Sequence, residues 1–272
     1  DIVFGDWSSD VCSSDLIGKF GGSLAGIDQT DLGGLVIKEA VSRAGIKPAD
    51  VDQVIVGNVG QIAESGFIGR MCSLKAGLPL ETLAYSLNIQ CGSGLQTIAN
   101  AMMLIQNDRA DVVVACGTEN MSRLPYYVKG ARFGYKMGHG ELEDGLIDIL
   151  TWPMGPFHNG MTAENVAEKY KVSRERQDAF ALASQEKARA AIEAGKFVEE
   201  ILPVELKGKN GPEWFKVDEH PRAGLSMDKL AKMKPAFKEG GSVTAANSSG
   251  INDGAAALVV MKIGRASCRE RV

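Results

Sequence analysis

Along the first part of the chain, the apolar residues switch between a helical period and short continuous runs. Over residues 31–44 they recur at every third and fourth position, which predicts a helix ended by Gly45. Strands that alternate with such helices are typical of a mostly parallel sheet covered by helices. The further predicted helices span 68–76 and 95–105, and the predicted strands span 51–59, 83–89 and 111–116.

The pattern changes after the third of these strands. Residues 119–159 are rich in glycine, methionine, proline and aromatic side chains without a sustained period, which is typical of an inserted, loop-rich region. A long helix follows, with Ser173 as its N-cap and Gly195 just past its end, and charged loops are expected up to Lys238. A last apolar strand over 255–261 is expected to return to the sheet.

The sequence therefore predicts an α/β protein in two parts. Residues 17–118 and 247–262 are expected to form the sheet and its helices, and residues 119–246 an inserted domain. The ends continue neither pattern, because residues 1–16 nearly repeat a short Ser/Asp segment and residues 263–272 are basic and contain a cysteine. We expect both ends to be foreign to the fold, and ordinary variable termini are the alternative.

Composition narrows the class of protein. The 272 residues are 44% apolar and 24% charged, with a net charge of −4. These values favour a folded protein that binds neither nucleic acid nor an anionic membrane. No apolar run approaches the roughly 20 residues that span a bilayer, and no secretory signal is visible, which favours the cytoplasm. The five cysteines are widely spaced and are accompanied by three histidines, so we expect neither a metal site nor a disulfide framework.

Cys91 is the strongest candidate for catalysis. The segment Asn-Ile-Gln-Cys-Gly-Ser-Gly over 88–94 places it between a predicted strand and a predicted helix. A helix N-terminus favours the thiolate, which is the nucleophilic form of cysteine, and the two glycines allow a carbonyl to approach backbone N–H groups. An inert cysteine in a glycine turn is the alternative. The other four cysteines are interpreted as structural or irrelevant: Cys12, Cys72, Cys116 and Cys268.

Four separated motifs resemble the thiolases, and among them most of all the acetyl-CoA acetyltransferases. The first motif is the segment around Cys91. The others are Val-Val-Ala-Cys-Gly-Thr-Glu-Asn-Met-Ser over 113–122, Gly-Met-Thr-Ala-Glu-Asn-Val-Ala over 160–167 and Val-Thr-Ala-Ala-Asn-Ser-Ser-Gly-Ile-Asn-Asp-Gly-Ala-Ala-Ala over 243–257. The resemblance implies a layered αβα half with a mixed, mostly parallel five-stranded sheet and an inserted loop-rich α covering domain that binds coenzyme A.

The resemblance also implies a role for each matching residue. Cys91 would attack an acyl-CoA thioester, hold the acyl group, and pass it to a second acyl-CoA carbanion or back to CoA. It implies no metal and no cofactor besides the CoA thioester substrate, acetyl-CoA or another acyl-CoA, and a homodimer or homotetramer. The residues implied to bind CoA are Arg222 at its phosphate and Leu146, His158, Phe237, Ala245 and Ser249 along the pantetheine chain.

The chain departs from the family pattern in three respects. Asn159 stands where acetyl-specific members carry a methionine, so the acyl-chain preference stays open. The C-terminal half, with the Asn-Glu-Ala-Phe asparagine, the Gly-His-Pro histidine and the Cys-x-Gly cysteine, is absent from the 272 residues. The family's first strand is replaced by a polar segment. We therefore expect half an active site, a sheet without its first strand and an exposed apolar face.

Two other interpretations remain at this stage. A ketoacyl synthase is a related condensing enzyme, but it takes its acyl chain from a carrier protein and lacks this covering-domain pattern. A non-catalytic thiolase-like protein that binds acyl-CoA or lipid is the alternative from a different class. Such a protein would not need the Gly-His-Pro and Cys-x-Gly motifs, so the sequence that follows residue 261 in the gene would separate it from an enzyme.

Overall fold

A computed structural model of the chain describes residues 12–14, 16–62, 66–155, 157–208 and 211–262. Of the two ends expected to be foreign to the fold, residues 263–272 and most of residues 1–16 lie outside this described part. The α-helices are α1 Gln29–Arg43, α2 Ile68–Lys75, α3 Ser93–Gln106, α4 Gly145–Ile149, α5 Asn159–Tyr170, α6 Arg174–Glu193 and α7 Met227–Ala231.

The strands of the described part are mostly short. They are β1 Cys12–Ser14, β2 Gly18–Lys19, β3 Gln53–Gly57, β4 Leu83–Leu87, β5 Val112–Asn120, β6 Tyr126–Val128, β7 Leu142–Asp144, β8 Thr151–Trp152, β9 Phe157–His158, β10 Val204–Gly208, β11 Gly211–Phe215 and β12 Asn252–Met261.

The chain divides into two units. The first contains the chain up to Arg123, Glu200–Asp218 and the chain from Asn252 onward, and the second contains Leu124–Glu199 and Glu219–Ile251. In the described part of both units, no helix is long and apolar enough to cross a membrane.

The sheet of the first unit has the strand order β1-β12-β5-β3-β4, and the two-residue β2 also pairs with β12. β3 is parallel to both β4 and β5, whereas β12 is antiparallel to β5 and to β1. Among the described strands of this sheet, β12 therefore runs against all the others. This confirms the α/β class with a mixed, mostly parallel sheet. β12 returns beside the strand of Cys116, as predicted, with Ala257 opposite that cysteine.

The expectation that the sheet lacks its first strand is wrong. β1 occupies the edge beside β12, with Cys12 opposite Leu258. The hydrogen bonds of a strand pair come from the backbone. A polar segment can therefore pair at a sheet edge although no apolar pattern in its sequence predicts a strand.

Helices cover both faces of the sheet. β5 is buried along its apolar run, which explains why the sequence shows no alternation there. Val112, Val114 and Cys116 pack in the core with α1 and α2, while Val113 and Ala115 pack with Ala101 of α3. Fully burying one such valine contributes about 1.5–3 kcal/mol. The opposite side of α3 is less covered, because Leu95 and Met103 remain exposed.

The described part of the second unit is built from short hairpins, the two longer helices α5 and α6, and the five-residue helices α4 and α7. β6 pairs with β7 and β8 with β9, in the region where the sequence predicts no sustained period. α6 begins after Ser173, whose side chain accepts a hydrogen bond from the N–H of Arg176, and Gly195 follows with φ of +67°. The predicted caps are confirmed.

The prediction of loops between Gly195 and Lys238 is wrong in part. β10 and β11 form a hairpin in the first unit, and α7 forms in the second. Only Val204 and Phe215 of the two described hairpin strands are buried, so the sequence offers too few apolar positions to indicate a strand period.

Candidate active site

Cys91 lies in the turn between β4 and α3. β4 ends at Leu87 and α3 begins at Ser93, so the predicted order of strand, cysteine and helix is confirmed as geometry. The thiol of Cys91 is exposed, whereas Cys72 and Cys116 are buried. Of the thiols described here, that of Cys91 is therefore the one open to a substrate.

The backbone of this turn is held in an unusual conformation. Gln90, directly before the cysteine, has φ of +56°, in the left-handed region that L-residues other than Asn, Asp and Gly rarely adopt. Its N–H donates to Asn88 Oδ1 at 2.9 Å, and its carbonyl accepts from Ser93 Oγ at 2.6 Å. Ser93 Oγ in turn accepts from the N–H of Ile89 at 3.0 Å. Two side chains thus fix the turn from both ends.

The N-terminus of α3 points its positive dipole end toward Cys91. Gly92 is the N-cap and supplies no side-chain hydrogen bond, and the Ser93 N–H donates to the Gln90 carbonyl at 2.9 Å. Within the described residues, the N–H groups of Gly94 and Leu95 are therefore the ones that the first turn leaves for a ligand. A Cβ on Gly57 of β3 would lie 2.7 Å from the carbonyl carbon of Ser93. Only a glycine at this position lets the start of α3 pack so close to the carboxyl end of β3.

The buried cysteines have a different chemistry. Burial raises the pKa of the Cys72 thiol to about 12, with a smaller opposing effect of the neighbouring Lys75. Cys72 therefore stays a thiol at neutral pH, and a thiol is a weak nucleophile. Cys12 lies in β1, and Cys268 lies outside the described residues. The burial of Cys72 and Cys116 agrees with their interpretation as structural.

Sequence reasoning missed a polar cluster at the carboxyl ends of the parallel strands. Asn58 follows β3, Asn88 follows β4, and Glu119 is near the end of β5. The carboxylate of Glu119 accepts hydrogen bonds from the N–H groups of Val59 and Gly60, both at 2.9 Å. The signal available in the sequence was positional, because each of these polar residues ends an apolar strand and the carboxyl ends of parallel strands share one edge.

Burial dominates the titration of Glu119. It raises the pKa of this carboxyl above its usual value, against the opposing effect of the hydrogen bonds from Val59 and Gly60, while Asp253 adds a smaller rise. Asp253 is itself buried and accepts hydrogen bonds from the N–H and the hydroxyl of Ser122 at 2.9 and 2.6 Å.

In the second unit the structure brings together two of the residues implied to bind CoA. His158 Nδ1 accepts a hydrogen bond from the N–H of Gly160 at 3.0 Å and caps α5. Its ring stacks on Phe237 with centroids 5.0 Å apart and planes inclined by 17°. A Cβ on Gly160 would collide with the Phe237 ring. Because Nδ1 is an acceptor here, the proton of the neutral ring is on Nε2.

The other predicted contacts of this unit have different exposures. Leu146 is buried in the first turn of α4, where Asp144 caps the helix by accepting from its N–H at 2.9 Å. Arg222 is exposed, and its backbone N–H donates to Gln185 at 2.8 Å. Ala245 and Ser249 are exposed.

Residues 242–250, which carry Ala245 and Ser249, are fixed by a buried carboxylate on α5. Glu164 accepts from the N–H groups of Ser242 and Val243 at 2.8–3.0 Å, and from the Ser242 hydroxyl at 3.1 Å. Burial acts to raise the pKa of Glu164, but these hydrogen bonds and the nearby Lys238 outweigh it, so the pKa lies below its usual value.

A second buried carboxylate holds the same segment from α6. Asp178 forms a salt bridge with Arg174 at 2.7 Å and accepts from Asn247 Nδ2 at 2.9 Å. Asn247 also accepts from the N–H of Thr244 at 2.7 Å and donates to the carbonyl of Ser242 at 3.1 Å. In the parts of the chain described here, no group of three or more His, Cys, Asp and Glu side chains is placed to hold a metal ion.

Comparison with known proteins assigns a family to this arrangement. The family model described as "Thiolase, N-terminal domain" matches residues 14–264. Acetyl-CoA acetyltransferase from Pseudomonas aeruginosa is 47% identical over 252 residues, which cover 92% of this chain and 64% of the relative. The protein of the same name from Cupriavidus necator is 48% identical over 252 residues, which again cover 92% of this chain and 64% of the relative.

Solved structures agree with the sequences. The acetyl-CoA acetyltransferase of Bacillus anthracis has a TM-score of 0.89 at 41% identity, covering 92% of this chain and 64% of that one. Human mitochondrial 3-ketoacyl-CoA thiolase in complex with CoA has a TM-score of 0.89 at 40% identity, covering 93% and 64%. This chain spans about 64% of the length of the curated relatives it matches. The chain belongs to the thiolase N-terminal domain family.

Proposed function

We propose that this chain supplies the acyl-accepting thiol of an acyl-CoA C-acyltransferase that forms or cleaves acetoacetyl-CoA or another 3-ketoacyl-CoA. The observation that carries the proposal is the exposed Cys91 at the N-terminus of α3. The proposal is supported by two relatives, 47% and 48% identical to this chain, that are named acetyl-CoA acetyltransferase.

The first half of the reaction needs a nucleophile and a place for negative charge. The sulfur of Cys91 forms a bond to the thioester carbonyl carbon, the bond from that carbon to the CoA sulfur breaks, and CoA leaves as a thiolate that takes up a proton. The N–H groups at the start of α3 stabilise the developing oxyanion. Gly92 and Gly94 leave room for the carbonyl.

The second half needs a base that removes a proton from the acyl α-carbon of a second acyl-CoA. The resemblance assigns this step to a cysteine and the activation of the nucleophile to a histidine, and both motifs are absent from the 272 residues. We therefore propose that these 272 residues by themselves become acylated on Cys91 without turnover. No resident cofactor takes part in the proposal.

Recognition of CoA is assigned to the second unit. Arg222 would pair with a phosphate, for which a guanidinium is well suited, and the stacked His158 and Phe237 would form part of the wall along the pantetheine chain. Ala245 and Ser249 would contact the same chain from residues 242–250, and Leu146 from α4. Human mitochondrial 3-ketoacyl-CoA thiolase, a structural relative, has been solved in complex with CoA, which supports CoA as the ligand.

We also propose that the protein assembles as a homodimer or homotetramer in the cytoplasm. β4 lies at the end of the strand order, so one backbone edge is free of a strand neighbour within the described sheet. Its Leu83 and Tyr85 side chains are exposed. An exposed strand edge with apolar side chains favours pairing with another chain.

A chimaera tests the proposed function. Residues 17–261 are joined to the first strand and the remaining C-terminal part of the Pseudomonas aeruginosa relative, and CoA-dependent cleavage of acetoacetyl-CoA is measured. We expect turnover in the chimaera, none after Cys91→Ala, and unchanged turnover after Cys116→Ser as the matched control. Full activity in the Cys91→Ala chimaera would show that the chemistry lies elsewhere. Tight acyl-CoA binding without turnover in the parent chimaera would favour the non-catalytic alternative.

A further inference from the structure

A path of hydrogen bonds leads from Glu119 to the turn of the nucleophile. The carboxylate of Glu119 takes the N–H groups of Val59 and Gly60, one on each oxygen and both at 2.9 Å. It also receives a longer hydrogen bond from Asn58 Nδ2 at 3.4 Å. Three donors from the segment after β3 therefore converge on one carboxylate at the end of β5.

The path continues through the backbone of that segment. The carbonyl of Val59 accepts from Asn88 Nδ2 at 3.4 Å, and Asn88 Oδ1 accepts from the N–H of Gln90 at 2.9 Å. The backbone N–H of Asn58 also donates to the carbonyl of Leu87 at 3.1 Å. The segment held by Glu119 thus touches the chain at the end of β4, where the nucleophile turn begins.

The conformation of Gln90 explains why such a support matters. A left-handed backbone at a residue other than glycine costs about 1–2 kcal/mol and persists only where its surroundings hold it. The hydrogen bond from the Gln90 N–H to Asn88 is one such restraint, and the Asn88 amide is itself held by its hydrogen bond to the Val59 carbonyl at 3.4 Å. Ser93 restrains the carbonyl side of the same residue.

We propose that Glu119 is a positioning residue for Cys91, acting through Val59 and Asn88 on the left-handed turn at Gln90. Glu119 does not touch the reacting atoms in this account, and Asn88 is the second member of the same path. The inference rests on the proposed function for its significance, since it concerns the thiol assigned there as nucleophile.

The test uses the 272-residue chain and the alkylation of its thiols by iodoacetamide at neutral pH, with each labelled cysteine located by peptide mass mapping. We expect Glu119→Gln, which turns one acceptor oxygen into an N–H donor, to slow labelling of Cys91 by about fivefold. Asn88→Ala should act in the same direction. Cys72, buried in the core of the same unit, should stay unlabelled in both variants and so reports that the fold is intact.

A second-site change separates positioning from a general effect on folding. Glycine adopts the backbone conformation of Gln90 without strain, so adding Gln90→Gly to Glu119→Gln should restore a large part of the labelling rate. The inference is overturned by an unchanged Cys91 rate in both single variants or by a double variant as slow as Glu119→Gln, whereas labelling of Cys72 reports that the variant is not folded. If Glu119→Gln does not fold, the pair Asn88→Ala and Asn88→Ala with Gln90→Gly decides in the same way.

The outcome is independent of the proposed function, because alkylation needs no acyl-CoA. If acetyl-CoA fails to acylate Cys91 in the parent chain while Glu119→Gln still slows its alkylation, the proposed function fails and the positioning role stands. If the parent is acylated and Glu119→Gln is alkylated at the parental rate, the positioning role alone fails.

Discussion

Two glutamates in this molecule each bind a pair of consecutive backbone N–H groups, one in each unit. Glu119 binds those of Val59 and Gly60, and Glu164 binds those of Ser242 and Val243. Burial leaves the pKa of Glu119 above its usual value, whereas hydrogen bonds leave the pKa of Glu164 below it.

The difference comes from the neighbours. Each carboxylate has a third donor, the Ser242 hydroxyl at 3.1 Å for Glu164 and the more distant Asn58 Nδ2 at 3.4 Å for Glu119. Glu164 also has the positive charge of Lys238 nearby, while Glu119 is close to the buried carboxylate of Asp253. We call each glutamate with its two N–H groups a clamp, the first at Glu119 and the second at Glu164. The first clamp lies at the carboxyl ends of apolar strands, which already hold Val59 and Gly60 in place. The second holds residues 242–250 with a polar network, so we expect that segment to depend on its carboxylate far more.

The largest effect is expected where the apolar framework itself is changed. Gly57→Ala places a Cβ against the backbone of Ser93 and should destabilise the first unit by about 3 kcal/mol, because a helix start cannot move as a side chain can. Gly66→Ala is the matched control, since a Cβ there meets nothing within 4 Å. Urea unfolding of both variants measures the difference. Equal stabilities would mean that α3 does not rest on β3 as described.

The second clamp should give an intermediate effect. Glu164→Gln loses the charge that three donors share and should destabilise residues 242–250 by about 2 kcal/mol. Glu168→Gln, on the same helix but with an exposed side chain paired to Lys238, should change stability by less than about 0.5 kcal/mol. Amide hydrogen exchange of a peptide over 240–250 reports the local opening. Similar exchange in the two variants would remove the distinction drawn between the clamps.

The smallest effect concerns pH, and the two glutamates should respond with opposite signs. The pKa of Glu164 is lowered in the folded state, so its contribution is present at neutral pH and is lost as pH falls through the usual glutamate range. The pKa of Glu119 is raised, so the folded state takes up its proton first and gains relative stability as pH falls through that raised value.

The measurement is the stability difference between the parent and each Glu→Gln variant at neutral and at mildly acidic pH. The loss caused by Glu164→Gln should shrink on acidification, because the parent loses the same charge. The loss of stability caused by Glu119→Gln should instead grow on acidification, because the parent gains stability when its folded state takes up the Glu119 proton. Two parallel pH dependences would show that the surroundings of the two carboxyls do not differ as described.

Periodicity in the sequence was sufficient for the elements that bury an apolar stripe. The helices α1, α2 and α3 and the strands β3, β5 and β12 follow from it. β4 and α6 were predicted as well, although β4 is only half-buried and the one buried residue of α6 is Asp178, so α6 follows from its caps Ser173 and Gly195 rather than from a buried stripe. The location of Cys91 also follows, since a strand, a cysteine, two glycines and a helix are consecutive in the chain. β1 and the β10–β11 hairpin were not predicted, because backbone pairing at a sheet edge or in a hairpin needs few apolar side chains.

The partners of Glu119 and Glu164 could not be predicted either, and the physical reason is different. Glu119 and Gly60 are 59 residues apart, and Glu164 and Val243 are 79 apart. Both glutamates lie inside motifs quoted for the family resemblance, yet a motif gives no partner for a carboxylate. Only the fold brings the donor N–H groups to it, and the left-handed φ of Gln90 likewise leaves no trace in residue type.

The most direct test of the account is acylation of the 272-residue chain by acetyl-CoA, followed by release of free CoA and by mass mapping of every cysteine peptide. We expect an acetyl group on Cys91, none on Cys72 or Cys116, loss of the signal in Cys91→Ala, and no acetoacetyl-CoA formed. Acetylation of the folded chain at another residue, with Cys91 unmodified, would contradict it.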